Sequence, residues 1–171
     1  DNDSVFSFSA NTYAVNESGG SATVTINRTG ALVDAASVTF QTADGTAVSP
    51  ANYTAVNTVL TFVPGQSSSN VAVTVIDDAV ANADRTVNLQ LSSPVSVPAG
   101  SAILGLNSAV LTIVDNDVVV QFSTNLYGVS ETGGSALITV TRTGVTNTAV
   151  SVNYTTANGT ALDGLDYLGQ S

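Results

Sequence analysis

The chain has no cysteine, lysine, histidine, methionine or tryptophan. Without cysteine there is no disulfide framework and no thiolate chemistry. Without cysteine and histidine, neither zinc sites nor the common nucleophile–base pairs can be built. The basic residues are three arginines against 13 Asp and Glu, a net charge of -10. That balance repels phosphate backbones and anionic lipid surfaces, so neither nucleic acid nor a membrane surface is expected as a partner; direct membrane insertion is not expected either. No apolar run approaches the roughly 20 residues needed to cross a bilayer, and no basic segment followed by an apolar one opens the chain as a secretory leader would. Aromatic residues are scarce, five Tyr and five Phe, too few to furnish the stacking platforms of a polysaccharide hydrolase. The joint absence of five residue types, beside abundant Thr, Ser, Asn and Gly, is the composition of secreted microbial surface and matrix proteins. It sets an extracellular or cell-surface location as the expectation.

What is present is a repeat. Asp1-Asn2-Asp3 returns as Asp115-Asn116-Asp117, and at that spacing residues 1–57 align without gaps on 115–171, with 27 of the 57 pairs identical. The matches include Tyr13 with Tyr127, Glu17 with Glu131, Arg28-Thr29-Gly30 with Arg142-Thr143-Gly144, and Tyr53 with Tyr167. The reading that follows is the tail of a preceding repeat at 1–3, a complete unit at 4–117 and the N-terminal half of a second unit at 118–171. Residues 118–171 have no counterpart of 58–114 to pair with. A half-sandwich leaves inner faces wet and edge strands unpaired, so completion is expected either from further repeats in the same chain or from a neighbouring copy in trans, which would build a fibre.

Within the first unit, β-branched residues dominate and apolar side chains alternate with polar ones, the period of a half-buried strand. In 21–29 Ala22, Val24 and Ile26 share one face, with Thr23, Thr25 and Asn27 on the other. Further strands are expected at 5–8 with 13–15 (one split strand), 36–43, 57–62, 70–77, 85–92 and 108–115. Turn signals separate them at 17–20, 29–31, 43–46, 63–66 and 98–100. The pattern predicts an all-β fold, an Ig-like antiparallel β-sandwich of about seven strands without the Ig cysteine pair. Gly100 to Gly105 has P-loop-like glycine spacing, but no lysine follows, so it holds no phosphate. Tyr53 and Tyr167 read as plugs of the sandwich end.

The blocks "YAVNESGGSATVTINRTG", "VTFQTADGTAVSPANY", "LTFVPGQSSSNVAVTVIDD" and "AVLTIVDND" resemble, in order and spacing, those of the Calx-beta domain, a module of sodium–calcium exchangers, integrin β4 and many bacterial surface proteins. The resemblance covers the whole chain. It implies a sandwich whose end loops gather carboxylates around Ca²⁺, which prefers six to eight oxygen ligands. By block position it points to Glu17, Asp44, Asp77, Asp78, Asp115, Asn116 and Asp117. The chain departs from the family after Asp78. Asn82 and Arg85 stand where calcium-binding members carry glutamates; Asn82 can still offer an amide oxygen, while Arg85 cannot ligate a cation and could bridge the carboxylates in its place by bidentate hydrogen bonds. The same acidic residues also suit strand ends and turns with no ion.

These features lead first to an extracellular structural or adhesive repeat of a long surface or matrix protein, stiffened by calcium, with neighbouring copies of the repeat as partners. The alternative is a calcium-sensing regulatory domain like that of the exchangers. A fragment of a secreted hydrolase has its carboxylates formally available but would also need aromatic platforms and a cleft, for which the chain has no tryptophan and few other aromatics, so no enzyme activity is expected.

Overall fold

The computed structural model describes residues 3–97 and 102–171; Asp1, Asn2 and the turn expected at 98–100 lie outside the described residues. Contacts divide the chain into two units, Asp1–Asp117 and Val118–Ser171.

Among the described residues, unit 1 is a sandwich of nine strands: β1 (Ser4–Phe8), β2 (Thr12–Asn16), β3 (Ser21–Gly30), β4 (Ala35–Asp44), β5 (Asn57–Phe62), β6 (Ser68–Thr74), β7 (Arg85–Val97), β8 (Ala102–Leu104) and β9 (Ser108–Val114). One sheet has the order β6-β3-β1-β8 and the other β2-β9-β7-β4-β5. The alternation seen in the sequence is the burial pattern. Ala22, Val24 and Ile26 of β3 face Val38 and Phe40 of β4, Phe62 of β5 and Val87, Leu89 and Leu91 of β7 across one core. Phe6 meets Phe62 edge-on at 5.2 Å between ring centroids, and Phe8 meets Phe40 at 6.2 Å. Such edge contacts add to area burial.

The sheets are mixed rather than purely antiparallel. β1 pairs in parallel with β8, and β2 in parallel with β9. The cause is the break in the first strand. At residues 9–11 the chain leaves one sheet for the other, so that β1 lies between β3 and β8 in the first while β2 forms an edge of the second. The hydroxyl of Tyr13 holds this crossing, accepting from the Ala10 N–H at 3.3 Å and donating to the Thr25 carbonyl at 3.1 Å. The glycine-flanked segment around 100–105 contributes β8 instead of a phosphate loop; Gly100 and Ser101 lie outside the described residues. β7 runs five residues past the expected end at 92, through a bulge. Ser37 pairs with Val95 and Thr39 with Ser92, leaving Ser93, at φ 48°, and Pro94 opposite Val38 alone. Proline has no ladder N–H to lose, which suits a bulge.

The repeated Arg-Thr-Gly has a structural meaning. Arg28 is only 1% exposed. Its guanidinium donates to Ser4 Oγ at 3.0 Å and to the carbonyls of Ala31 and Asp34 at 2.8 Å each, clasping the β3–β4 connection. Gly30 sits at φ 80°, and a Cβ there would lie 2.1 Å from the Asp3 carbonyl oxygen. Only glycine lets the connection close over β1.

Unit 2 repeats the opening of this plan. β10 (Val118–Phe122) pairs antiparallel with β11 (Val140–Gly144), and Arg142 again donates to carbonyls of its own turn, those of Val145 and Thr146. The positions that form the core of unit 1 stand open. Val152 and Tyr154 are 57% and 59% exposed, whereas Val38 and Phe40, 114 residues earlier, are 0% exposed.

Candidate metal centre

Three strand ends of unit 1 converge because of the sheet pairings. β2 and β9 run parallel in register, Asn16 beside Val114. The residues that follow each strand, Glu17 on one side and Asp115-Asn116-Asp117 on the other, therefore emerge side by side. β6 pairs antiparallel with β3, Thr74 opposite Ser21, and the Val75 N–H donates to the Gly20 carbonyl at 3.1 Å. This brings Asp77 to the same end. A short 3-10 turn, Glu17–Gly19, turns Glu17 inward until it is 8% exposed.

One carboxylate oxygen from each of Glu17, Asp77 and Asp117 lies within 4.8 Å of the others. Two oxygens bound to one Ca²⁺ at its usual 2.3–2.6 Å can be no more than about 5 Å apart, so the three fit a common ion. Two further observations bear on the fit. Asp117 Oδ2 is buried with no hydrogen-bond partner among the described residues, a costly state for a carboxylate oxygen unless something positive approaches it. The Glu17 carboxyl is pushed up to about 7, chiefly by burial, with its hydrogen bond to Asp115 and the charges of Asp117 and Asp115 adding to the effect against the Asn116 N–H. Crowded acids of this kind are stabilised by a cation among them. The donor set, all carboxylate oxygen, suits a hard divalent ion such as calcium.

The other residues named from the sequence serve the site differently. Asp115 adjoins Glu17, and its carboxylate accepts the N–H groups of Asp117 (2.8 Å) and Asn82. Burial would raise its carboxyl, but those two N–H groups, the hydrogen bond with Glu17 and the charge of Arg85 together hold it below the usual range. Asn116 staples the two strand ends, its N–H donating to Glu17 Oε1 at 3.4 Å and its Oδ1 accepting from the Ser18 N–H at 3.3 Å. Asp78 shapes the following loop by accepting the Val80 N–H at 2.9 Å. Asn82 donates its amide to the Val80 carbonyl at 2.6 Å, which leaves its own oxygen for other partners.

Asp44 is not gathered with the three. Its Oδ1 accepts the Tyr53 hydroxyl at 2.8 Å and the Ser49 N–H at 3.0 Å, so it anchors the loop between β4 and β5. Burial, and after it this carboxylate, raise the Tyr53 hydroxyl above its ordinary value. Arg85 acts on Asp115 through its charge, and among the described residues no hydrogen bond joins its guanidinium to the cluster, so the bidentate bridge that is the alternative to an ion is not seen there. Sequence reasoning passed over Asp84, whose Oδ1 accepts the Asp115 N–H at 3.2 Å. Its place one residue before Arg85, inside the stretch where the family carries acids, was the available signal.

Comparison with known proteins bears on what this arrangement is for. The sequence matches the family described as Calx-beta domain over residues 1–117 and again over 114–171. It is 31% identical over 174 residues to sodium/calcium exchanger 1 of Rattus norvegicus, an alignment covering 92% of this chain and 18% of the exchanger. The chain thus spans less than a fifth of that relative's length. Among solved structures, the apo-form Calx CBD1 domain superposes with a TM-score of 0.62 at 29% identity, covering 67% of this chain and 98% of that one. The calcium binding domain CBD12 of CALX1.1 gives a TM-score of 0.57 at 27% identity, covering 74% of this chain and 52% of that one.

Proposed function

The chain belongs to the Calx-beta domain family, and from that membership we propose that unit 1 is a calcium-responsive binding module, with Glu17, Asp77 and Asp117 as its ligands and Asp115 as a fourth carboxylate beside them. The observation that carries this reading is the convergence of three carboxylate oxygens within 4.8 Å at one sandwich end. A bound calcium supplies the positive charge that lets these acids sit together ionised. Glu17, once deprotonated, would be a ligand and Asp117 would offer its buried oxygen, while Asn116 keeps the ends of β2 and β9 in step. Asn82, through the Asp115 carboxylate, ties the 77–84 loop to the same point. An ion held there would thus be linked to the loop through Asn82 and to both strand ends through Asn116.

The exchanger relatives and the similar solved domain favour the calcium-sensing reading over the adhesive array, since they are named for sodium/calcium exchange and for calcium binding. A sensor needs a loop whose order depends on the ion, and residues 76–84, outside any strand, answer that description. The composition supports an extracellular setting, and the tandem repeat supports another copy of the same module as neighbour.

The test is a calorimetric calcium titration of the chain beside Asp117→Asn and Asp77→Asn. Binding in the parent with a raised melting temperature, lost in both variants, is the expected result. Magnesium should do less, because it demands a tighter octahedral shell. Neither heat nor shift at millimolar calcium would reject the reading.

A further inference from the structure

We propose that Asn158 of unit 2 is a self-modifying site, where the Gly159 backbone nitrogen attacks the Asn158 side chain and converts it to aspartate or isoaspartate. Asn158-Gly159 is the only Asn-Gly pair in the sequence. Glycine after asparagine leaves the backbone nitrogen unshielded, since no Cβ flanks it. Three observations set this pair apart from an ordinary exposed loop.

The first is polarisation of the carbonyl to be attacked. Asn158 Oδ1 accepts two hydrogen bonds at once, from the Asp163 N–H at 2.8 Å and from the Tyr167 hydroxyl at 2.9 Å. Two donors aimed at one amide oxygen stabilise the negative charge that develops there when a nucleophile adds to the carbon, the logic of an oxyanion hole. The Asp163 N–H also fixes which end of the amide faces inward, because an N–H cannot donate to the NH₂ group. The second is the freedom of the attacking residue. Among the described residues, no hydrogen bond engages the Gly159 N–H, and a Cβ placed on Gly159 would meet nothing within 4 Å. Gly45, its counterpart in unit 1, is packed so closely that a Cβ would lie 2.4 Å from the Thr86 carbonyl oxygen.

The third observation is that the fold already accepts the aspartate product. At the matching place unit 1 has Asp44, whose Oδ1 takes the same two hydrogen bonds from Ser49 N–H and Tyr53 hydroxyl, at 3.0 and 2.8 Å. Conversion of Asn158 to aspartate therefore reproduces in unit 2 the carboxylate–tyrosine pair of unit 1 without a new contact.

The chemistry needs only water and hydroxide as general base. The Gly159 nitrogen loses its proton to the base and bonds to Asn158 Cγ; the Cγ–Nδ2 bond breaks, and the amide nitrogen takes up a proton and leaves as ammonia. Water then opens the resulting cyclic imide at one carbonyl or the other, giving aspartate or isoaspartate. One water is consumed and one ammonia released, with no change of oxidation state.

Peptide mapping by mass spectrometry after incubation of the folded chain at neutral and mildly alkaline pH reads the conversion directly, with the same chain unfolded in guanidinium as reference. The proposal requires faster conversion at Asn158 in the folded chain than in the unfolded one. Tyr167→Phe should then slow the folded reaction about tenfold, the effect of one neutral hydrogen bond. Slower conversion in the folded chain than in guanidinium overturns the proposal, as does an unchanged or faster rate in Tyr167→Phe; the two hydrogen bonds would then be restraints that protect the amide. The guanidinium comparison needs no variant, so it stands even if Tyr167→Phe disturbs the loop.

Discussion

Replacing Glu17 by glutamine tests the electrostatics of the site from two directions. The buried carboxyl is raised from 4.5 to about 7. The folded, calcium-free protein therefore holds a proton that the unfolded chain releases over that interval, and folding stability falls as pH rises from about 4.5 through about 7. At pH 8 the full shift applies, and at 1.36 kcal/mol per pKa unit the ionised group costs about 3 kcal/mol. Glutamine keeps the oxygen that accepts the Asn116 N–H and removes the charge. In calcium-free buffer at pH 8, Glu17→Gln is thus expected to stabilise unit 1 by up to about 3 kcal/mol, a rise in melting temperature on the order of 10 °C. At pH 5 the gain should shrink below about 1 kcal/mol, because Glu17 is then protonated in the folded parent as well. In saturating calcium the sign should reverse, since the variant lacks a ligand. Thermal melts by circular dichroism at the two pH values, with chelator and with calcium, give all four numbers. A variant less stable than the parent at pH 8 in chelator, or a gain that does not vary with pH, would refute the crowding argument.

Three other outcomes follow from the same structure. Arg28→Ala should destabilise unit 1 by about 2 kcal/mol or more by denaturant titration, since it strips donors from Ser4 Oγ and two half-buried carbonyls, and Arg28→Lys should restore little because the ammonium lacks the planar fork of donors. Arg85→Gln should tighten calcium binding several-fold by calorimetry, because a positive charge near the carboxylates opposes the cation; an unchanged affinity would mean that Arg85 is too well screened to matter. The exposed apolar side chains of unit 2 should make the chain self-associate as concentration rises, and Val152→Asp should reduce this in sedimentation analysis, whereas equal behaviour of parent and variant would place the contact elsewhere.

The sequence and the structure agree where side-chain chemistry has a period. Val24, Ile26 and Leu89 are in strand phase and buried, and the acids at the ends of β2, β6 and β9 could be seen to meet once a sandwich was assumed. Strand direction is another matter. Parallel and antiparallel neighbours present the same alternating faces, so the pairings of β1 with β8 and β2 with β9 left no mark in the pattern. β8 has only three residues, too few to alternate visibly. Arg28 ran against the usual rule that arginine is exposed; its burial depends on carbonyls that only the folded β3–β4 connection supplies. Asp44 and Asp77 both end or follow strands and look alike in sequence. What separates them is Tyr53, whose hydroxyl claims Asp44, and no local signal announces a partner nine residues away.

Central to the account is a single cation held at the strand ends of unit 1. A crystal structure of the chain grown in calcium, with the ion identified by its anomalous scattering, tests this most directly. The predicted result is one peak bonded to Glu17, Asp77 and Asp117 at calcium–oxygen distances of about 2.3–2.6 Å, with Asp115 beside it and the Arg85 guanidinium held apart. A crystal from the same calcium with no peak among those three carboxylates, or with Arg85 occupying their midst, would contradict it.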